Sequence, residues 1–139
     1  MKFYKNSLEF ELNANTDIKD ITYEIEREVE KSGIKDGIAS IFILGSTGSI
    51  TTIEYERGVI NDLKKAINRI APPDIQYEHN FAWHDGNGHS HVQAALLGPS
   101  LTIPVRNGKL TLGTWQQIVI INHDIRKRIR KVEITIIGS

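Results

Sequence analysis

The side chains best suited to chemistry are concentrated in one short part of the chain. Four of the five histidines lie between His79 and His91, together with Asp85, and residues 79–91 are called the His-rich segment below. Imidazole is the usual proton carrier near neutral pH and the commonest metal ligand in proteins. Folding does not require such a cluster, so this segment is the first place to look for a functional site.

The spacing of the histidines allows a shared metal ion. His89 and His91 are two residues apart, and on a β-strand both rings would point to the same face. His79 or His84 is expected to supply a third ligand, and Asp85 a fourth ligand or a carboxylate behind the ligands. We therefore predict a divalent metal, zinc or magnesium, at His79, His89 and His91. The alternative is that these histidines only form hydrogen bonds.

A turn rich in glycine and hydroxyl groups is a second candidate site. Residues 45–49 read Gly-Ser-Thr-Gly-Ser and can present backbone amides and hydroxyls to a phosphate. They lack the Gly-Lys-Ser/Thr end of a Walker loop. The residues expected to contact a phosphate are Ser46, Thr47, Thr51 and Thr52. The alternative is an ordinary polar turn.

Composition excludes several classes of function. The 139 residues, 40% hydrophobic and 24% charged, are typical of one globular domain over residues 1–139. The absence of cysteine excludes disulfides, thiolate zinc sites and a cysteine nucleophile. Lys+Arg and Asp+Glu are both 17, so overall charge does not favour nucleic acid and no nucleic-acid partner is expected. Residues 126–131 are locally basic and form either a solvated turn or a patch that binds anions or another subunit.

The sequence gives no sign of a membrane protein. The first residues lack the apolar core of a signal peptide, and no apolar run approaches the roughly 20 residues of a membrane span. We therefore expect a cytoplasmic protein without a membrane partner.

The hydrophobic pattern predicts the elements that hold the candidate residues. Strands are predicted at residues 3–13, 37–44, 50–55, 92–97, 101–105, 110–122 and 131–137. One helix is predicted at residues 17–32, capped by Asn15 or Thr16 and ended by Gly33, and another at about residues 59–70, ended by Pro72 and Pro73. This pattern indicates an α+β fold, a layered sandwich of mainly antiparallel β-sheet with two main helices.

Several strings in the second half of the chain form a recognisable pattern. They begin at His91 and continue as Ala-Ala-Leu-Leu-Gly-Pro-Ser at residues 94–100, Ile-Pro-Val at 103–105, Gly-Lys-Leu at 108–110 and Leu-Gly-Thr-Trp-Gln-Gln-Ile at 112–118. Together they resemble the YjbQ-like family, whose members are described as secondary thiamine-phosphate synthases. The similarity covers nearly the whole chain and is strongest over residues 79–121.

The resemblance implies a fold, an assembly and an activity. The fold is an α+β sandwich, assembled as a homotrimer with sites at subunit boundaries. The activity is a secondary ability to join hydroxymethylpyrimidine diphosphate to a thiazole phosphate, with release of pyrophosphate. A phosphorylated small molecule is therefore the expected ligand, and the chain itself the expected partner.

Matching the family pattern position by position assigns roles to single residues. The expected catalytic residues are Glu54, His91 and Gln116. The carboxylate of Glu54 is also a possible general base independently of the resemblance. Asn87 and Trp115 are expected to bind substrate, and His79 and His89 join His91 as metal ligands. This chain also departs from the pattern: residues 46–49 lack a histidine that many members have, and residues 122–126 lack a Gly-Pro turn.

Two functions fit these residues. One is an enzyme that holds a diphosphate beside the 45–49 turn while it leaves. The other is a non-catalytic protein that binds a metal or phosphate ligand between subunits. The apolar run of residues 118–121 suggests that residues 110–122 contact the neighbouring subunit, where Gln116 and Gln117 would find hydrogen-bond partners.

Overall fold

The computed structural model describes all 139 residues as two antiparallel β-sheets and four α-helices. The strands are β1 (Lys2–Leu12), β2 (Asp17–Asp20), β3 (Gly37–Ile43), β4 (Gly48–Ile53), β5 (Ser100–Arg106), β6 (Lys109–Leu110), β7 (Gln117–Asn122) and β8 (Arg128–Gly138). The helices are α1 (Thr22–Ser32), α2 (Arg57–Ile70), α3 (Glu78–Trp83) and α4 (Gly88–Leu97). The predicted α+β class is confirmed. None of the helices is long and apolar enough to cross a membrane.

The core lies between the two sheets. The larger sheet has the strand order β1-β8-β3-β5-β6, and the smaller has the order β2-β7-β4. Alternate residues of β7 point to opposite faces, as the two-residue period of a strand requires. Ile118 and Ile120 join the main core between the sheets, whereas Val119 and Ile121 pack against Ile60 and other residues of α2. Strand β7 is therefore covered on both faces within one chain.

The first helix begins later than the sequence predicts. Residues 17–20 form strand β2 and pair with β7, and α1 begins only at Thr22. Asn15 and Thr16 cap no helix, because both have positive φ, 64° and 65°, and form the turn between β1 and β2. The N-cap position of α1 is Ile21, which makes no side-chain cap, and Oδ1 of Asp20 just before it accepts from the backbone N–H of Thr22 at 2.9 Å. The predicted stop at Gly33 is confirmed, with φ 68°.

The segment predicted as a strand at residues 92–97 is part of helix α4. Its buried face consists of small or polar residues: Gly88, His89, Ser90, Gln93 and Ala94. That face carries no apolar repeat of helical period, so the hydrophobic pattern does not reveal the helix. Close packing explains why residue 88 is a glycine, because a Cβ atom there would lie only 2.4 Å from the Cβ of Tyr77.

The predicted strand over residues 110–122 is two strands in different sheets. Strand β6 ends at Leu110 in the larger sheet, and β7 begins at Gln117 in the smaller one. A turn lies between them, in which the backbone N–H of Gln116 donates to the carbonyl of Gly113 at 3.0 Å. The hairpin predicted at Asn107 and Gly108 is confirmed: both have positive φ, 52° and 75°, as a type I′ turn requires.

The buried strand β7 needs no neighbouring subunit. Gln117 accepts from the backbone N–H of Tyr55 at 2.9 Å, and Gln116 donates to Thr52 at 3.1 Å, so both amides have partners within the chain. Contact of these residues with a neighbouring subunit stays a prediction. Large apolar side chains are exposed elsewhere: Phe81 (64%), Trp83 (72%), Leu96 (63%) and Trp115 (70%).

We predict that the chain forms a homotrimer through these exposed apolar residues. Burying exposed aromatic and leucine side chains is the main favourable term in association. Light scattering coupled to size exclusion at micromolar concentration should give about three times the chain mass of 15.7 kDa. A mass of one chain would contradict assembly, and a stable dimer would contradict the number three.

Candidate functional site

The His-rich segment folds as α3, a short loop and the first turn of α4. Because helical residues advance by about 100° each, His89 and His91 point to nearly opposite sides of the helix, about 160° apart. The prediction of two rings on one face of a strand is therefore wrong. His91 lies beside His79, with 4.5 Å between ring centroids, whereas His89 is buried and faces Tyr77, with centroids 6.4 Å apart.

Asp85 holds the ring of His79. The Nε2 atom of His79 lies 3.2 Å from Oδ2 of Asp85, and Oδ1 of Asp85 accepts from the backbone N–H of Asn87 at 3.0 Å. The bond from Asn87 and the contact with His79 lower the pKa of Asp85, so the carboxylate is charged at neutral pH. The indole of Trp83 stacks on His79 at 6.5 Å. The orientation of His79 toward His91 is thus set by its neighbours.

The three predicted metal ligands do not assemble within one chain. No group of three or more His, Asp or Glu side chains is arranged to hold a metal ion. The available donors are His79 and His91, with Asp85 already bonded to His79. His89 is turned into the interior, where burial lowers its pKa against an opposing effect of Asp124, and its Nδ1 has no hydrogen-bond partner.

The fifth histidine, His123, lies at the centre of a buried polar cluster. Its Nδ1 is 2.9 Å from Oε1 of Gln93, and its Nε2 is 2.7 Å from Oγ of Ser49. The amide nitrogen of Gln93 donates to Asn68 and to the carbonyl of Ala71, both at 3.0 Å, which leaves its oxygen as an acceptor. His123 therefore carries its proton on Nδ1, and its Nε2 accepts from the Ser49 hydroxyl.

A second buried group lies next to His123 and joins the two sheets. The Thr47 hydroxyl donates to Oδ2 of Asp124 at 2.9 Å and accepts from Nη2 of Arg130 at 2.6 Å. The same Nη2 donates to Oδ1 of Asn122 at 2.6 Å, and Arg128 pairs with Asp124 at 3.0 Å. Thr47, Asn122, Asp124 and Arg130, each at most 5% exposed, are called the Asp124 network below.

Asn87 connects the His-rich segment to the Asp124 network. Burial acts to raise the pKa of Asp124, but hydrogen bonds from Asn87 and Thr47 and the charge of Arg128 outweigh it and lower that pKa. Ser90 makes a second connection, since its hydroxyl donates to the carbonyl of His123 at 2.6 Å. The position of α4 is therefore fixed largely by polar contacts with residues 122–125.

Sequence reasoning did not identify this buried cluster as part of the site. The available signal was the string Asn-His-Asp at residues 122–124, three polar residues directly after the four apolar residues 118–121. Polar groups at the end of a buried strand must find partners, and they often belong to functional sites.

A cleft lies between the turn at residues 45–47 and helix α4. Its volume is about 340 Å³, and it is called the His91 cleft below; its lining comprises Gly45, Ser46, Gly48, His91, Ala94, Ala95 and Pro99. Ser46 is exposed, whereas the Thr47 hydroxyl points inward and is saturated by Asp124 and Arg130. Of the predicted phosphate contacts, Ser46 alone has a hydroxyl free to face the cleft.

The remaining predicted site residues lie toward the other end of β4. Thr51 and Thr52 are strand residues rather than part of the turn, and Thr52 bonds Gln116. Glu54 is exposed just beyond the strand. Because a strand rises about 3.4 Å per residue, Glu54 is roughly 17 Å from Ser49 at the His123 end. Glu54, Gln116 and the exposed Trp115 thus form a group separate from His91 within one chain.

The chain is similar to one group of known proteins along nearly its whole length. Residues 6–139 match the family described as UPF0047 protein YjbQ-like. A UPF0047 protein of Methanothermobacter thermautotrophicus is 35% identical over 139 residues, 100% of this chain and 95% of that protein. A YbjQ-like protein of unknown function from Sulfolobus solfataricus superposes with a TM-score of 0.94 at 37% identity, over 99% of both chains. A YjbQ/UPF0047 protein of Clostridium acetobutylicum has a TM-score of 0.87 at 34% identity, over 95% of this chain and 99% of that one.

The buried His123 predicts a specific loss of stability in acid. Burial, aided by Arg130 and His89, lowers its pKa from 6.5 to about 4 in the folded chain. The unfolded chain therefore binds the proton first, so the stability from neutral His123 is complete above pH 6.5 and is lost as pH falls to about 4. At about 1.4 kcal/mol per pKa unit, the loss is roughly 3 kcal/mol.

Urea unfolding at a series of pH values measures this loss. His123→Asn should remove the corresponding slope between pH 6.5 and 4, although the variant is less stable throughout. His84→Asn is the matched control, because His84 is exposed and its left-handed φ of 54° suits asparagine. Equal slopes in wild type and His123→Asn would show that His123 titrates normally.

Proposed function

Because the chain belongs to the YjbQ-like UPF0047 family, we propose that it binds a phosphorylated small molecule in the His91 cleft and has secondary thiamine-phosphate synthase activity there. The reaction joins hydroxymethylpyrimidine diphosphate to a thiazole phosphate and releases pyrophosphate. The observation that carries the proposal is the position of His91, which lines a cleft of about 340 Å³ directly opposite the glycine-rich turn.

The chemistry of the cleft suits a leaving diphosphate. As pyrophosphate departs with the bonding electron pair, negative charge develops on its oxygen, and hydrogen-bond donors at that point lower the barrier. A ring N–H of the His91 imidazole supplies such a donor, and Ser46 supplies a hydroxyl. The walls contributed by Gly45, Ala94 and Ala95 have small or no side chains, which leaves room for a ring beside the diphosphate.

Neighbouring residues fix the histidine pair at the cleft. Asp85 and Trp83 hold the ring of His79, whose centroid is 4.5 Å from that of His91. A carboxylate behind one imidazole sets which ring nitrogen carries the proton. We assign His91 as the residue that contacts the diphosphate and His79 as a positioning residue beside it.

The other residues assigned by resemblance require a second subunit. Glu54 lies roughly 17 Å along β4 from Ser49, and Gln116 bonds Thr52, about 10 Å along the same strand from Ser49. Neither residue lines the His91 cleft within one chain. In the proposed trimer a neighbouring subunit brings its own Glu54 and Trp115 to the His91 cleft. Catalysis then depends on assembly.

A non-catalytic binding protein is the second candidate. It is favoured by the same separation of Glu54 and Gln116 from His91, since one chain alone offers no general base in the cleft besides imidazole. A phosphorylated ligand would then bind in the cleft without turnover.

A turnover assay with hydroxymethylpyrimidine diphosphate and thiazole phosphate separates the two candidates. We expect pyrophosphate release by the wild type and a loss of roughly 10- to 100-fold in His91→Asn, the range typical of one lost donor or proton-transfer group. His84→Asn, an equivalent change at an exposed histidine of the same segment, should retain full activity.

Two results would decide against the enzyme. Turnover equal in wild type and His91→Asn would exclude the assigned role of His91. Diphosphate binding by calorimetry without any turnover, in protein shown to be assembled, would favour the binding protein.

A further inference from the structure

A second cavity lies on the other side of the 45–47 turn from His91. Its volume is about 370 Å³, and the polar side chains that line it are Ser46, Thr47, Arg128, Arg130 and Lys131. No Asp or Glu side chain lines it. This cavity, called the basic pocket below, therefore has three cationic groups on its walls.

Arg130 is a buried charge without a directly paired carboxylate. The residue is 5% exposed, and both of its hydrogen bonds come from Nη2, to the uncharged oxygens of Thr47 and Asn122. Its Nε has no hydrogen-bond partner. Burying a guanidinium is costly unless the charge is paired, so an anion close to Arg130 would stabilise it.

Gly45 leaves one edge of the Arg130 guanidinium uncovered. A Cβ atom at Gly45 would lie 2.5 Å from Nη1 of Arg130, so any other residue would cover that nitrogen. Gly45 also has φ +106°, a conformation that L-residues rarely adopt. The lack of a side chain at Gly45 leaves Nη1, which makes none of the hydrogen bonds of Arg130, uncovered on that side, and Arg130 itself lines the basic pocket.

Positive charge exceeds negative charge around the pocket. Asp124 pairs directly with Arg128 at 3.0 Å and reaches Arg130 only through the Thr47 hydroxyl. The single carboxylate of Asp124 thus lies near two positive charges, those of Arg128 and Arg130. Lys131 lies 3.8 Å from Glu133, and both of those side chains are about half exposed, so that pair is weak.

We propose that the basic pocket binds a phosphate or diphosphate group, with Arg130 and Arg128 as hydrogen-bond donors and Lys131 as an additional charge. A guanidinium fork matches the oxygens of a phosphate, and a dianion balances the surplus charge better than a single carboxylate. The site is distinct from the His91 cleft, although the two share Gly45 and Ser46. It concerns binding alone and holds whether or not the chain catalyses the synthase reaction.

Calorimetric titration with inorganic pyrophosphate and inorganic phosphate, at constant ionic strength, tests the pocket. Wild type should bind pyrophosphate, and Arg128→Gln and Lys131→Gln should each weaken binding, by roughly tenfold or more for the arginine, whose hydrogen bonds are charge-assisted. Arg126→Gln is the matched control: it removes the same charge two residues away, at an exposed side chain outside the pocket. Its affinity should stay within about twofold of wild type, since exposed charges act weakly at a distance.

Three outcomes would overturn the inference. The first is no pyrophosphate binding by folded wild type at millimolar concentration. The second is equal weakening by Arg126→Gln and Arg128→Gln, which would mean unspecific attraction. The third is loss of binding in His91→Asn but not in Arg128→Gln or Lys131→Gln, which would place the anion in the His91 cleft and leave the proposed function intact.

Discussion

The Asp124 network is the interaction on which the candidate sites depend. Arg130 belongs to the larger sheet, Asn122 to the smaller sheet and Thr47 to the turn that leads into β4. Their hydrogen bonds, all between groups at most 5% exposed, therefore connect both sheets and the turn at one end of the sandwich. The His91 cleft and the basic pocket lie on either side of that turn. In a site of low polarity each of these hydrogen bonds is stronger than it would be in water.

His123 connects helix α4 to the same end of the sandwich through hydrogen bonds. Its ring lies between Gln93 of the helix and Ser49 of β4, and its carbonyl accepts from Ser90. The helix that carries His91 is thus attached through hydrogen bonds from its buried polar face. A polar attachment fixes direction as well as distance, and this suits a helix that must aim one imidazole at a cleft. It also makes that position sensitive to acid, because a charged His123 would lose its acceptor role toward Ser49.

The sequence predicts those parts of the fold in which local pattern and tertiary structure agree. Helix α2, the apolar strand β3 and the Asn-Gly hairpin are of this kind. The apolar periodicity of the first two and the turn residues of the third each allow one type of secondary structure. Helix α4 is different, because its buried face is made of His89, Ser90 and Gln93, and no apolar period marks it. A strand would place His89 on the same face as His91, whereas the helix turns His89 into the interior. The site could be predicted as far as His79, His91 and the glycine-rich turn, whereas Asp124 and Arg130 required the three-dimensional contacts between the sheets.

Hydrogen exchange in Asp124→Asn tests most directly whether the Asp124 network positions the turn. The reporter is the backbone amide of His123, which donates to the carbonyl of Thr47 at 2.8 Å. If the network holds the turn, this amide should exchange roughly tenfold faster or more in the variant, since tenfold corresponds to about 1.4 kcal/mol of local opening. Amides between β1 and β8 should be unchanged, as should all amides in the control Asp62→Asn on the exposed side of α2. An unchanged rate at His123 in a folded Asp124→Asn chain would contradict the account.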